Sequence, residues 1–315
     1  MIGQLNITNA VTGEAIDFLA SSGNYLIDEI DWGGVNVVQN TYKVPQQVGE
    51  SLESVDVGTR PIVIYGTIIG ISPTKTLGMK WSEVYAQREE NLNDAKDVLN
   101  RLISVYEDIV IEANGHTITG RPTIPIKYSS TSTENNQVMC KFEIDVLCSD
   151  PLFDGDDKVV QLAYLQNKFH FPFGSVNPTN MVVFGELVRI GTALCENNGD
   201  APVGCTIVIG ASGGQVTNPA IRNVGTGETI GFSGLTLEDG DTLTITTGTN
   251  EENAIHHISE ETRDVNVIAN LTQDSVFLQI PKGGAYITYD VDEEEQSNVE
   301  VSIYYTEQYF NIRGM

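Results

Sequence analysis

The chain has 315 residues, with 17 Lys+Arg against 43 Asp+Glu for a formal net charge of −26. A balance that acidic, spread over both halves, argues against gripping nucleic acid through its phosphates. It suits solubility, repulsion of nucleic acid, or a cationic partner. Hydrophobic content of 40% and charged content of 19% belong to a folded chain, and the length leaves room for two domains. No basic segment followed by an apolar core opens the sequence, and no apolar run approaches the about eighteen residues that span a bilayer. Neither a secretory leader nor a membrane span is therefore expected. The cysteines, Cys140, Cys148, Cys195 and Cys205, form no CxxC pair and have no paired histidines beside them, so a zinc site is not expected. Cys195 and Cys205 could face each other across a hairpin centred on Asn197-Asn198-Gly199, but buried free thiols are expected for all four.

From residue 1 to 58, short apolar pieces (Leu5–Ile7, Tyr25–Ile30, Gly33–Val38) are broken by Gly13, Gly23, Gly33-Gly34 and Gly49, the punctuation of short strands and turns. Gln46 to Asp56 reads as a polar mobile loop. Arg60 to Ile71 is apolar on both faces, a strand covered on both sides, either within the fold or by another subunit. Trp81 to Tyr106 is the one long helical pattern. Its stripe recurs at three- and four-residue steps (Trp81, Val84, Tyr85, Arg88, Leu92, Ala95, Leu99, Leu102, Ile103, Tyr106), with Ser82 as the expected N-cap. Ile109 to Gly120 reads as a hairpin turning on Asn114-Gly115, which pairs Ile111 with Ile118 and leaves His116 beside the turn as a surface residue. Val138 to Cys148 is a long half-buried strand. Cys140, Phe142, Ile144, Val146 and Cys148 share one face, and Lys141, Glu143 and Asp145 the other. Ser149-Asp150-Pro151 stops it, and Asp154-Gly155-Asp156-Asp157 is expected to be a flexible linker.

The second half is almost entirely β in pattern. Candidate strands are Val159–Leu165, Met181–Ile190, Cys205–Gly210, Glu228–Phe232, Asp241–Thr247, Asp264–Leu271, Ser275–Ile280, Ala285–Tyr289 and Val299–Tyr305. The expected fold class is mainly β: a sandwich-like first domain, residues 1–153, with one long helix and a hairpin, then a β-sandwich or jelly roll over residues 154–315.

Chemistry is hard to place on this chain. His256-His257 with Glu260 and Glu261 could gather a metal, but adjacent histidines on a strand point to opposite faces. Asp154 to Asp157 lacks the distal glutamate of a calcium loop. Gly210 to Gly214 and Gly225-Thr226-Gly227 lack the lysine and the following helix that a phosphate loop needs. The run Asp290 to Glu295 reads as a solvated loop tip, and no serine or cysteine sits in a nucleophile elbow. No catalytic, cofactor-binding or metal residue is assigned, no cofactor is implied, and the chain is not expected to be an enzyme.

In order and spacing, these segments resemble the distal tail protein family of long-tailed bacteriophages, the siphovirus-type tail component. Arg60-Pro61-Ile62 opens the apolar strand, then come the helix and the hairpin, and the first half closes on Cys148-Ser149-Asp150-Pro151-Leu152-Phe153. The second half resembles that family's galectin-like domain, through Ile207 to Gly210, Asn218-Pro219-Ala220-Ile221, Asn223 with Thr226-Gly227-Glu228, Leu237 to Ile245, Ser275 to Leu278, and Val299 to Tyr305. The resemblance implies a structural virion protein. It would form a hexameric ring at the tail tip, assembled in the host cytoplasm, with 1–153 closing the ring and 154–315 projecting outward. Implied partners are the tail tube protein, a tail-associated hub or lysin protein, and receptor-binding proteins. The competing readings are a carbohydrate-binding sandwich, to which Tyr286, Tyr289, Tyr304, Tyr305 and Tyr309 could contribute, and, on fold analogy alone, a glycoside hydrolase.

Overall fold

The computed structural model describes residues 5–18, 23–45, 48–71, 79–167, 185–248 and 251–312. It is mainly β, with one α-helix among the described residues. The chain divides into two compact units: residues Met1–Gly155 together with Tyr309–Met315, and residues Asp156–Gln308.

The first unit is built on Met139–Cys148, which pairs antiparallel along its whole length with Arg60–Ile69, from Met139 opposite Ile69 to Cys148 opposite Arg60. Alternation sends Cys140, Phe142, Ile144, Val146 and Cys148 inward with Ile62, Ile64 and Ile68. Tyr25–Asp31 flanks Arg60–Ile69 on its other edge, with a bulge between Ile27 and Glu29. Gly66 is required beneath Phe142: a Cβ there would lie 2.4 Å from the ring. The hairpin of Ile109–Ala113 and His116–Pro122 turns on Asn114 and Gly115, at φ 51° and 79°, and pairs Ile111 with Ile118 as the two-residue turn demands. Leu5–Asn9 extends that hairpin's sheet, with Ala15–Asp17 beyond it. Leu5, Ile7, Ile109, Ile111 and Ile118 join the same core.

The helix runs Trp81–Leu102, one turn shorter than its pattern. Asn9 ends it by donating from Nδ2 to the Leu102 carbonyl (3.0 Å). The N-cap is Lys80, not Ser82, because the Glu83 carboxylate reaches back to accept from the Lys80 amide (3.0 Å). Leu92, Ala95, Leu99 and Leu102 pack onto the core, and the Tyr25 hydroxyl donates to the Ala95 carbonyl (2.8 Å). Trp81, Tyr85 and Tyr106, placed with the apolar stripe by spacing, are exposed.

Three further expectations need correction in this unit. Arg60–Ile69 is not covered on both sides by its own chain: Tyr65 is exposed and Val63 half-buried on its outer face, so the first of its two readings fails. Ser51–Val57, expected within a mobile loop, is a strand paired with Val37–Tyr42; residues 46–47 of that stretch lie outside the described residues. Asp154 to Asp157 is not an irregular flexible segment but part of the strand Phe153–Asn167, although the boundary between the two units falls within it, after Gly155. Burial of Phe153 and pairing of Asp154 with Thr117 hold its start to the first unit.

In the second unit, Thr206–Ala211 pairs on one side with Val299–Tyr309 and on the other with Thr242–Thr246, followed by Asn253–Ile258 and Arg263–Asn266. A four-stranded sheet runs Thr192–Cys195, Ala285–Asp290, Ala220–Asn223, Thr229–Gly231. Inward residues of both sheets, among them Ile207, Ile245, Val301, Ile221 and Ile287, form one core. The expected strand Asp264–Leu271 ends at Asn266, where the Asn266 side chain accepts from the Ile268 amide and a 3-10 turn, Ile268–Asn270, begins. Ser275–Ile280 is irregular apart from a bridge of Val203 to Ile280, yet Leu278 and Ile280 are buried. Of Met181–Ile190, residues 181–184 lie outside the described residues and Gly185–Arg189 is a strand.

Candidate assembly surface

The residues with chemical potential are each absorbed by the fold. His256 and His257 point to opposite faces of Asn253–Ile258. His256 lies 2.8 Å from Asp241 in the interior, and His257 lies 2.7 Å from Asp264 outside. Asp241 also accepts from the amides of Ser259 (2.8 Å) and Glu238 (3.0 Å), so it ties a turn to a strand end. Burial opposes its ionisation, but the Ser259 amide, the His256 ring and the Glu238 amide together outweigh burial and hold its carboxyl below the ordinary value. Glu260 is exposed, and Glu261 pairs with Arg263. No three His, Cys, Asp or Glu side chains converge as metal donors among the described residues.

The turn at Gly210 to Gly214 meets an anion, but it is the protein's own: the Gly213 amide donates to the Asp239 carboxylate (2.6 Å). At Gly225 to Gly227, the Asn223 side chain accepts from the Gly225 and Thr226 amides and closes the turn. The acidic run is exposed from Asp292 to Glu294. Glu295, however, turns inward to accept from the Thr217 amide (2.6 Å), the Thr217 hydroxyl (3.0 Å) and Gln215 (3.2 Å). Those donors, the Thr217 amide first, hold its carboxyl below the usual range.

The tyrosines named for a sugar site are spread over the fold. Tyr305 is buried, with its hydroxyl on the Glu196 carbonyl (2.8 Å), and Tyr309 stacks edge-on to His116 (5.2 Å). The exposed Tyr286 and Tyr304 stand on different sheets. All four cysteines are free and buried. Burial pushes the Cys148 thiol up to about 11 and the Cys195 thiol up to about 12.

Two surfaces of the first unit remain. An open groove of about 570 Å³ lies on the outer face of Arg60–Ile69 and Met139–Cys148, with Tyr65 among its lining. Its lysines are already matched: Lys127 sits between Glu143 (2.6 Å) and Asp145 (2.8 Å), and Lys141 lies 3.5 Å from Glu134.

The second surface is the two-stranded arm of Val37–Tyr42 and Ser51–Val57. Its register places Val37 opposite Val57, Gln39 opposite Val55 and, past a bulge, Thr41 opposite Leu52, all on one face. Val37, Leu52, Val55 and Val57 are 44%, 56%, 47% and 45% exposed. The other face is mixed, with the exposed Val38 and Tyr42 beside Asn40, which donates to Ser54 (2.9 Å) and Asp56 (2.7 Å). An isolated hairpin is marginal in water, and this one leaves four apolar side chains aligned and exposed on one face. The polar composition of 46–56 concealed this arm. The alternation Val55-Asp56-Val57 opposite Val37-Val38 was the available signal.

No protein-family model and no curated protein matches the chain. Among solved structures it matches the SPP1 Dit protein, described as a paradigm of the hub adsorption apparatus in phages infecting Gram-positive bacteria. The TM-score is 0.60 at 12% identity, over 96% of this chain and 98% of that one. It also matches a chain of the phage P2 baseplate in its activated conformation with Ca, with a TM-score of 0.43 at 10% identity, over 96% and 97% of the two chains. The first likeness establishes a shared fold over nearly the full length of both chains.

Proposed function

We propose that this chain is a distal tail protein of a long-tailed bacteriophage. In this reading it is a non-enzymatic hub component of the virion, forming a hexameric ring that joins the tail tube to the tip and host-adsorption apparatus. The observation that carries the reading is the fold shared end to end with a protein described as a hub, together with a first unit that displays an apolar arm. A heterologous contact repeated around an axis closes into a ring when the rotation fits. The arm supplies one side of such a contact, and the exposed outer face of Arg60–Ile69 offers sheet surface for the other. The second unit, residues 156–308, is the galectin-like part that receives the tip components. The net charge of −26 suits a passage through which DNA must not stick.

Light scattering of the purified chain over a range of concentrations tests the ring. A hexamer, or a monomer-to-hexamer transition, is expected. A dimer at all concentrations would overturn the ring geometry. Binding of cell-wall glycan by a strict monomer would move the reading to a carbohydrate-binding sandwich.

A further inference from the structure

The first unit is discontinuous in sequence. Tyr309–Met315, which follow the whole second unit in the chain, belong to it, and what they contribute centres on one buried charge. Arg60 is 1% exposed. Its guanidinium lies 4.7 Å from the Phe153 ring centre, and Phe153 meets Trp32 edge-on at 5.5 Å. Nη2 donates to the Phe310 carbonyl (2.5 Å), across 250 residues of sequence. Nε and Nη1 have no acceptor among the described residues. Around this contact, Ile312 is 5% exposed within the first unit's core, and Tyr309 packs against the same core with its ring on His116. A buried guanidinium with no carboxylate beside it is expensive. The segment that brings its carbonyl acceptor is therefore coupled to it more tightly than an apolar contact would be.

We infer that Tyr309–Ile312 is a latch: the first unit closes only when this segment docks on Arg60. Residues 1–155 are therefore incomplete until the chain beyond the second unit has been made. Under the hub reading above, the latch has a further consequence, which the inference itself does not require. Interrupted chains that carry every residue of 1–155 would be kept out of the assembly.

The test is amide hydrogen exchange on the full chain and on a chain ending at Gln308. Ile111 and Ile144 report the first unit; Ile245 and Val301 report the second. Without the latch, exchange at Ile111 and Ile144 is expected to rise about 100-fold or more, with Ile245 and Val301 unchanged. Adding Arg60→Met to the shortened chain removes the stranded charge and is expected to slow that exchange again by about tenfold. In the full chain, Ile312→Ala keeps the backbone acceptor and is expected to raise exchange in the first unit alone. It serves as the reading if the shortened chain does not fold. Unchanged protection at Ile111 and Ile144, or equal loss in both units, would overturn the latch. A failed Arg60→Met recovery would overturn the part given to the charge. None of these readouts depends on ring formation, so a failed ring leaves the latch standing and the reverse.

Discussion

At the scale of single residues, Asp241 is a heavily used carboxylate, with two backbone amides and the His256 ring on its oxygens. Its folded value lies below the ordinary one, so its contribution is complete above the unfolded value, near pH 4, and fades as pH falls through the folded value. Asp241→Ala strips the buried His256 ring and two part-buried amides of their acceptor and is expected to cost about 2 kcal/mol at pH 7. As pH falls through the folded value the difference from the parent chain should shrink, because the parent then loses the same interaction. Urea melts at pH 7 and pH 2.5 check this. The thiols give a second test. Because the cysteines are buried and burial has pushed Cys148 and Cys195 up to about 11 and 12, a thiolate-seeking reagent at pH 8 should label none in the folded chain and all four in denaturant. A fast-reacting thiol in the native protein would refute that account.

At the scale of elements, the helix rests on a narrow stripe: Leu92, Ala95, Leu99 and Leu102 are buried while Trp81 and Tyr85 stand in solvent. Leu99→Ala, at a fully buried position, should cost about 3 kcal/mol, whereas Tyr85→Ala should change stability by less than about 0.5 kcal/mol. The arm behaves in the opposite way. Val55→Ser with Val57→Ser should leave the melting of the isolated chain within about 0.5 kcal/mol, yet abolish the hexamer seen by light scattering. Elements set by local chemistry could be read from the residues. Asn114-Gly115 dictates its hairpin because only a turn with both residues at positive φ matches the strand twist. Cys140 to Cys148 reads as a strand because one face is buried throughout. The arm as a whole could not be read: Val55-Asp56-Val57 alternates, but a bulge between Asn40 and Thr41 breaks the pattern and its apolar side chains stay exposed. Nor could Ser275–Ile280, where buried Leu278 and Ile280 imitate a strand in an irregular segment. Arg60 looked like the first residue of a strand. That it waits for the Phe310 carbonyl is a relation across 250 residues, beyond the reach of any periodicity.

At the scale of the whole molecule, charge sets the terms of self-association. Bringing together copies that each carry −26 is opposed by long-range repulsion, and salt screens that repulsion over a Debye length of about 10 Å at 0.1 M. Assembly through an apolar arm should therefore strengthen as sodium chloride rises from about 0.05 to 0.5 M. Sedimentation of the same stock across that range checks it, and a ring that dissolves with salt would point to an interface made of ion pairs instead. The same arm sets how the molecule behaves when assembly goes astray. Its sheet has only two strands among the described residues, so each strand is also an edge. The devices that blunt such edges are present in the form of the bulge at Asn40/Thr41 and the acidic side chains of Glu53 and Asp56. Neutralising those two gatekeepers, or storing the protein near its isoelectric point of about 4.3, would leave head-to-tail contacts free to run on without closing, and the product would then be filaments rather than rings.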